Sequence, residues 1–304
     1  MELRQLRQVI VLAETLNFRR AAEKLHMAQP PLSTSIKKLE EELGVLLFER
    51  LPTGLKITPA GEMVLRHAQH TVFSAEQIKR AAREGEAGDQ GILHLGFVGS
   101  ATYSLMPRII RAFRGRYPHV ETVIEESTTL ELLKRVESHA VDVALVRFPV
   151  LERSNAQLTL LRPERMMVAV SADSRFVGRS SLSIAELADE PFIIYARDRV
   201  PAMYAHILQA FAEAGIQPRI AQEAVQVQHF LGLVESGLGV ALVPETSARY
   251  AGDGVVLIAV EPQPKTLQVG LALACMPDAL TPTARNFIAT AHDVVRELAG
   301  RTMP

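Results

Sequence analysis

The chain has 304 residues, and 48% of them are hydrophobic, which is enough for more than one folded unit with its own core. Its 33 Lys and Arg residues nearly balance 34 Asp and Glu residues, and the formal net charge of −1 excludes a uniformly basic protein that coats nucleic acid. The single cysteine, Cys275, excludes an intrachain disulfide framework and a cysteine-rich zinc site. The N-terminus lacks the apolar block of a signal peptide and no apolar run reaches membrane-spanning length, so we expect a protein of the bacterial cytoplasm.

Two short helices joined by a tight turn are predicted between Asn17 and Gly44. Asn17 suits a helix N-cap because its side-chain oxygen can accept hydrogen bonds from the free amides of the first turn. Pro30 and Pro31 have no amide hydrogen to donate, and they fit the first turn of the second helix. One side of this second helix is apolar at spacings of three and four residues, with Leu32, Ile36, Leu39 and Leu43.

The opposite side of the second helix is polar, which is typical of a helix that lies in the major groove of DNA. Short hydroxyl side chains can approach base edges, and ammonium groups can reach phosphates. A following turn flanked by cations resembles the wing of a winged helix-turn-helix, which contacts DNA beside the recognition helix. The predicted DNA-binding residues are Gln29, Pro30, Pro31, Ser33, Thr34, Ser35, Lys37, Arg50, Thr53 and Lys56. The alternative is an ordinary surface helical hairpin with solvated lysines.

A long helix is predicted from Pro59 to about Glu84, with Thr58 as its cap. A narrow seam of small and apolar residues, spaced by three and four, indicates pairing with a second copy of the chain: Leu65, Ala68, Val72, Ala75 and Ala82. Packing on the first helix, between Leu6 and Leu16, is the competing explanation. His67 and His70 lie one turn apart on this helix, but no third metal ligand is nearby, so we interpret them as exposed helix residues.

Glycines and acids between residues 84 and 91 indicate a hinge, after which strands and helices alternate. We predict strands at 91–98, 120–126 and 141–147, and helices at 105–117 and 129–139. This alternation predicts parallel strands joined by crossover helices. Further strands are predicted at 166–170, 191–195, 239–244 and 266–275, with helices near 201–214, 227–236 and 281–299.

Three places in this region lie where a strand ends and a helix begins, which is where open α/β sheets bind ligands. Gly99 to Thr102 and Ser127 to Thr129 supply hydroxyls and backbone amides, and Arg147 supplies a guanidinium that can bind a carboxylate at two points. Together they favour a small anion. The alternative is that the hydroxyls only cap helices and that Arg147 forms a surface ion pair.

The first 61 residues resemble the DNA-binding domain of the LysR-type transcriptional regulators. The resemblance is carried by RQL near the start, by NFRRAAEKLHMAQPPLSTSIKKLEEELGVLLFER, and by ITPAG. Many members of the aromatic-catabolism branch of that family carry arginine at the position of Thr34, and glutamine or arginine at the position of Ser35. Later segments are similar to the effector-binding domain of the same family, namely GFVGSATYSLMP, ESTTLELLKRVESHAVDVALVRF, LLRPERMMVAVSADS and VQVQHFLGLVESGLGVALVPE.

The resemblance implies an α+β chain in two parts. A winged helix-turn-helix would occupy residues 1–58, a linker and dimerisation helix with the hinge 59–88, and a two-lobed α/β domain of the periplasmic-binding-protein fold 89–304. Lobe I would comprise about 91–161 and 266–304, and lobe II about 162–265. The effector-binding residues carried over from the family are Ser100, Thr129, Arg147, Pro201, Tyr204 and Val227. Their positions between a strand and a helix add Ala101, Thr102 and Thr128 to the predicted effector-binding residues.

The function implied is an inducer-responsive regulator without a cofactor or metal. It would bind promoter DNA as a dimer joined through the linker helix, assemble into a tetramer, contact RNA polymerase, activate an operon for an aromatic or related carboxylate, and repress its own gene. One alternative is a member of the same family that responds to a non-aromatic metabolite such as an amino acid. Another is a small-molecule-binding protein or enzyme with an appended helical domain, although HExxH, P-loop and GxSxG motifs are absent.

Overall fold

A computed structural model describes residues 1–51, 54–84, 88–151 and 153–301. The chain divides into two compact units, residues 1–85 with 138–140, and residues 86–137 with 141–304. Three sequence predictions fall outside the described residues: Thr53, part of the hinge at 85–87, and the side chains of His70 and Ala82.

The first unit is a helix-turn-helix with a two-stranded wing. Its elements are α1 (Leu3–Thr15), α2 (Phe18–Lys24), α3 (Gln29–Leu43), β1 (Phe48–Leu51), β2 (Gly54–Ile57) and α4 (Pro59–Glu84). The predicted ends are confirmed, since Asn17 Oδ1 accepts from the amides of Arg19 and Arg20 at 3.0 and 3.1 Å. Gly44 ends α3 with φ of 70°, a left-handed conformation that costs glycine little. Leu32, Ile36 and Leu39 on the apolar side of α3 are buried, whereas Leu43 at the end of the helix is exposed. The same core contains Val9, Leu12, Ala21, Ala22, Leu47 and Phe48.

The long helix α4 packs on α1 within the same chain. Thr58 caps it, because its hydroxyl accepts from the amide of Gly61 at 2.9 Å. Ala68 is buried, and Leu65 packs against the core of the first unit. The intrachain packing that competes with pairing between copies is therefore present at these two seam positions. On the same helix, Met63 is 57% exposed and Ile78 is 74% exposed.

The second unit contains two sheets, each with helices. Lobe I holds β3 (Gln90–Phe97), α5 (Met106–Arg116), β4 (His119–Glu126), α6 (Thr129–Glu137), β5 (Val143–Phe148) and β6 (Gln157–Glu164). Lobe II then holds β7 (Met166–Ser171), β8 (Ser181–Leu182), β9 (Pro191–Tyr195), α7 (Pro201–Glu213), β10 (Arg219–Ala224), α8 (Val227–Glu235), β11 (Val240–Pro244) and β12 (Val255–Val260). The chain returns to lobe I with β13 (Val269–Cys275) and α9 (Pro282–Arg301).

The strand order is β4-β3-β5-β13-β6 in lobe I and β10-β9-β11-β7-β12-β8 in lobe II. The predicted parallel pairing is confirmed for β3 with β4 and β5. β13, for which no direction was predicted, runs antiparallel to both β5 and β6. In lobe II, β11 is antiparallel to β7 and parallel to β9. Both sheets are therefore mixed.

Four strands, β6, β8, β10 and β12, were not predicted. β6 and β10 are edge strands, and their burial does not alternate as it does in a strand with one covered face. β8 has only two residues, and β12 is an apolar run of six whose period cannot distinguish strand from helix. The local spacing of apolar residues therefore predicted the central strands of the sheets better than their edge strands.

Gly61→Ala is expected to destabilise the first unit by about 1–3 kcal/mol, because overpacking against backbone has that typical cost. A Cβ at Gly61 would lie 2.2 Å from the Leu47 carbonyl oxygen and 2.8 Å from Ile57 Cγ1. Gly115→Ala in α5 is the control, since a Cβ there meets no atom within 4 Å, and alanine favours a helix. Thermal unfolding followed by circular dichroism measures both, and an unchanged transition for Gly61→Ala would contradict this packing.

Candidate functional sites

The predicted DNA-binding residues lie on α3 and on the wing. Those at the start of α3, together with Thr34 and Lys37, are exposed, and Ser33 and Ser35 are half-buried. Arg50 on β1 and Lys56 on β2 are exposed as well. Lys37 lies 3.6 Å from Glu41 one turn along, and such an exposed pair is weak, so the ammonium group remains available to a phosphate.

Two side chains join α3 to the wing. Glu40 Oε1 accepts from the amides of Leu47 and Phe48 at 2.8 and 3.1 Å, which satisfies the backbone where the wing begins. Arg50 Nη2 donates to Ser33 Oγ at 3.1 Å, and its guanidinium carbon lies 5.0 Å from the centre of the Phe18 ring. The sequence did not indicate a role for Glu40, because its partners are backbone amides of another element.

A cavity lies where residues of lobe I face residues of lobe II. Lobe I contributes mainly hydroxyl groups, and lobe II contributes a mainly apolar wall. The lining residues are Val98, Ser100, Ser127, Thr128, Thr129 and Arg147 from lobe I, and Tyr195, Val200, Met203, Val225, Gln226 and Val227 from lobe II. Its volume is about 40 Å³, which holds about three water molecules, whereas a cavity that admits benzene measures about 150 Å³. The space between the two walls is therefore too small for a six-membered ring.

Arg147 is the centre of the polar wall of this cavity. Its Nη1 donates to Glu164 Oε2 at 2.5 Å, and its Nη2 donates to Ser100 Oγ at 2.5 Å. Its backbone amide donates to Thr129 Oγ1 at 3.1 Å. Glu164 Oε1 accepts in turn from Ser104 Oγ at 2.9 Å. Arg147 is therefore bound to both crossover turns of lobe I and to β6.

The ion pair between Arg147 and Glu164 is buried, with side-chain exposures of 7% and 0%. The alternative of a surface ion pair is thus wrong, although a pair does form. Because Glu164 offsets the charge of Arg147, the polar wall is close to neutral. An incoming anion therefore meets a guanidinium that already has a carboxylate partner.

Tyr195 is the second titratable side chain that lines the cavity. Burial raises the pKa of its phenol to about 12, Arg147 acts in the opposite direction, and Glu164 raises it further. The phenol is therefore protonated at physiological pH. It adds no charge to the site and can take part only as a neutral hydrogen-bonding group.

Five predicted effector-binding residues come together around this cavity: Ser100, Thr128, Thr129, Arg147 and Val227. Pro201 lines an adjoining cavity that shares Thr129 and Arg147. The other three predicted residues lie elsewhere. Ala101 is in the core of lobe I, the Thr102 hydroxyl donates to the Gly99 carbonyl at 2.6 Å, and Tyr204 packs against the core of lobe II.

The sequence did not indicate Glu164, Tyr195, Met203 or Gln226. Tyr195 ends β9, so the rule that ligands lie at the carboxyl ends of strands was a usable signal for it. Glu164 had no such signal, because it reaches Arg147 only after β6 pairs with β13. Gln226 precedes α8 and comes close to Gly99, where a Cβ would lie 2.5 Å from its Oε1.

Other chemistry is not supported by the side chains that the structure describes. Among them there is no group of three or more His, Cys, Asp or Glu placed to hold a metal ion. Cys275 is buried in β13, and burial raises the pKa of its thiol, which makes it a poor nucleophile. No helix within the described ranges is both long enough and apolar enough to span a membrane.

Comparison with known proteins identifies relatives of both units. Residues 3–62 match the family "Bacterial regulatory helix-turn-helix protein, lysR family", and residues 86–296 match "LysR substrate binding domain". The HTH-type transcriptional regulator CatR of Pseudomonas putida is 38% identical over 80% of this chain and 83% of its own. AlsR of Bacillus subtilis, also named an HTH-type transcriptional regulator, is 34% identical over 82% of each chain. A full-length OxyR variant from Pseudomonas aeruginosa has a similar structure, with a TM-score of 0.70, 26% identity, and coverage of 97% of this chain and 95% of that one.

Glu164→Leu is expected to destabilise the second unit by about 3–5 kcal/mol, because it leaves the Arg147 guanidinium buried without its partner. The double variant Arg147→Met, Glu164→Leu removes both charges and should recover most of that loss. Glu23→Gln is the control, since its pair with Arg19 is exposed and should change stability little. Urea unfolding measures all of them, and equal losses for the single and double variants would count against a buried ion pair.

Proposed function

The chain belongs to the LysR family of bacterial transcriptional regulators, and from that membership we propose that it switches transcription in response to a small carboxylate. It is a regulator rather than an enzyme, with a helix-turn-helix unit for DNA and a substrate-binding domain for a small molecule. One observation carries the ligand proposal. Hydroxyls at two helix starts and the Arg147–Glu164 pair face an apolar wall across one cavity.

The two walls of the cavity favour an amphipathic acid. A carboxylate head would bind the lobe I hydroxyls of Ser100, Thr128 and Thr129, and an apolar body would lie against Val200 and Met203 of lobe II. An aromatic or related catabolic acid meets both demands. An amino acid needs a carboxylate partner for its ammonium group, but the residues that line the cavity include no carboxylate, and Glu164 is buried against Arg147. We therefore favour an acid without an amino group.

The inducer would act by changing the distance between the lobes. The cavity of about 40 Å³ is too small for a six-membered ring, so an aromatic ligand would hold the lobes further apart. A ligand shifts such an equilibrium only by its differential affinity for the two states, typically about 5- to 150-fold. The altered domain would then change how the chain contacts promoter DNA and RNA polymerase, including at its own gene.

Paired copies of the chain would place two recognition helices in successive major grooves. The exposed Met63 and Ile78 of α4 leave apolar surface for such pairing, and we propose a homodimer through α4 that assembles into a tetramer. A protein that acts on promoter DNA works in the bacterial cytoplasm.

Lys37→Ala tests the DNA contact of α3. It is expected to weaken binding to all DNA sequences and to lower the slope of log affinity against log salt by about 1, because one phosphate contact is lost. Lys134→Ala is the control, since this exposed lysine lies on α6 of the second unit. Fluorescence anisotropy at several salt concentrations measures the slope, and an unchanged slope for Lys37→Ala would remove this residue from the DNA contacts.

Arg147→Lys tests the ligand site without unpairing Glu164. Lysine keeps the charge but lacks the planar fork, so we expect at least a tenfold loss of affinity for a carboxylate inducer and nearly unchanged promoter binding. Arg165→Lys, at an exposed position, is the control. A thermal-shift screen of muconates, benzoates and salicylates, with their amides and amino acids for comparison, identifies the ligand first. Stabilisation by the amides alone would overturn the carboxylate proposal.

A further inference from the structure

Arg50 is held in place by two elements other than its own strand. From β1 its guanidinium lies over the ring of Phe18, the first residue of α2, with 5.0 Å from Cζ to the ring centre. It also donates from Nη2 to Ser33 Oγ on α3 at 3.1 Å. Stacking on an aromatic face and a directed hydrogen bond both restrict a side chain that would otherwise have several free torsions.

Arg50 keeps its positive charge unbalanced despite these contacts. No carboxylate within ion-pair distance of it appears in the described part of the chain, whereas other exposed cations of this unit do have such partners, as in the pairs Arg19–Glu23 and Lys24–Glu14. A guanidinium has five N–H donors, and only one is used by Ser33. Ser33, Lys37 and Arg50 line the cavity between α3 and the wing, together with the carboxylates Glu40 and Glu49, neither of which forms an ion pair with Arg50.

The hydrogen bond also determines what Ser33 can do. A serine hydroxyl has one donor and two acceptor sites, and here one acceptor site is filled by a charged donor. Among the described residues its hydrogen has no acceptor in hydrogen-bond geometry. A hydroxyl that accepts from a cation is polarised, so its own O–H becomes a stronger donor.

We propose that Ser33 and Arg50 bind DNA as one coupled unit, in which Arg50 orients the Ser33 hydroxyl as a hydrogen-bond donor toward an acceptor atom of the DNA. This inference rests on the DNA-binding function proposed above. The acceptor is a purine N7, guanine O6 or thymine O4 in the major groove, or a phosphate oxygen. Phe18 is a positioning residue in this unit, because its ring holds the Arg50 guanidinium.

A double-mutant cycle tests the coupling in the full-length protein. The variants are Ser33→Ala, Arg50→Met and the double variant, and the matched cycle replaces Arg50→Met by Lys56→Met. Lys56 is an exposed cation of the same wing and lies opposite Glu49 in the register of the two strands. No contact joins it to Ser33 in the structure. Each protein is titrated with a duplex selected by the wild-type chain from a random-sequence pool, and with an unselected duplex of the same length.

The double variant Ser33→Ala, Lys56→Met should lose DNA affinity by the product of the two single losses, because the two groups act independently. The double variant Ser33→Ala, Arg50→Met should lose less DNA affinity than the product of the two single losses, by a factor of about three or more. The reason is that removing Arg50 already leaves the Ser33 hydroxyl misdirected. A loss for Ser33→Ala on the selected duplex only assigns the acceptor to a base, and an equal loss on both duplexes assigns it to a phosphate. Both results support the coupled unit.

Multiplicative losses in both cycles would overturn the coupling while leaving DNA binding itself intact. Thermal unfolding of every variant separates a loss of contact from a loss of fold. Phe18→Leu supplies a further readout, since it keeps an apolar residue but removes the aromatic face. It should reduce the effect of Ser33→Ala on the selected duplex, and an unchanged effect would exclude Phe18 as a positioning residue.

Discussion

The buried ion pair between Arg147 and Glu164 is the interaction on which the ligand site depends. It joins β5 to β6, and the second nitrogen of the Arg147 guanidinium also holds Ser100, at the turn after β3. The backbone amide of Arg147, rather than its side chain, holds Thr129 at the start of α6. A buried charge without a partner is costly, so neither residue can leave its place unless another charged or hydrogen-bonding group takes over. The pair therefore holds the polar wall in one geometry. An anion can bind Arg147 only by sharing the guanidinium with Glu164 or by replacing it.

The DNA-binding unit uses the same principle at its surface. Glu40 and Arg50 each connect α3 to the wing through directed, charge-assisted hydrogen bonds, so the two parts that meet DNA do not move independently. Apolar packing joins the same two parts, since Leu47 and Phe48 lie in one core with the apolar side of α3. The two charged side chains add directed hydrogen bonds to that packing.

Features that depend on interactions within one turn were predictable from the sequence, and features that depend on contacts between distant segments were not. Asn17, Gly44 and Thr58 cap helices within their own turns, and residue type alone indicated these roles. The second bond of Thr58, from its hydroxyl to the Leu46 carbonyl, was not indicated. The hydroxyls of Ser100 and Thr129 were found from their position after strands. Glu164 was missed because its role arises only from the pairing of β6, an edge strand without clear alternation, with β13. The alternation of strands and helices between 91 and 148 predicted parallel pairing there, and it gave no direction for β7 or β13, whose antiparallel pairing depends on how the chain passes between the lobes.

Because the polar wall is nearly neutral, we expect the free energy that shifts the lobe equilibrium to come mainly from the apolar wall of lobe II. If Glu164 already satisfies Arg147, an inducer carboxylate exchanges one partner for another and gains little net energy from charge. Val200, Met203 and Val227 of lobe II line the cavity, and in the function proposed above they would contact the apolar body of the inducer. Each buried methylene contributes about 0.8 kcal/mol, so one to four such groups would supply the roughly 1–3 kcal/mol typical of allosteric coupling. In that proposal the carboxylate head would select the class of ligand, and the apolar body would drive the response.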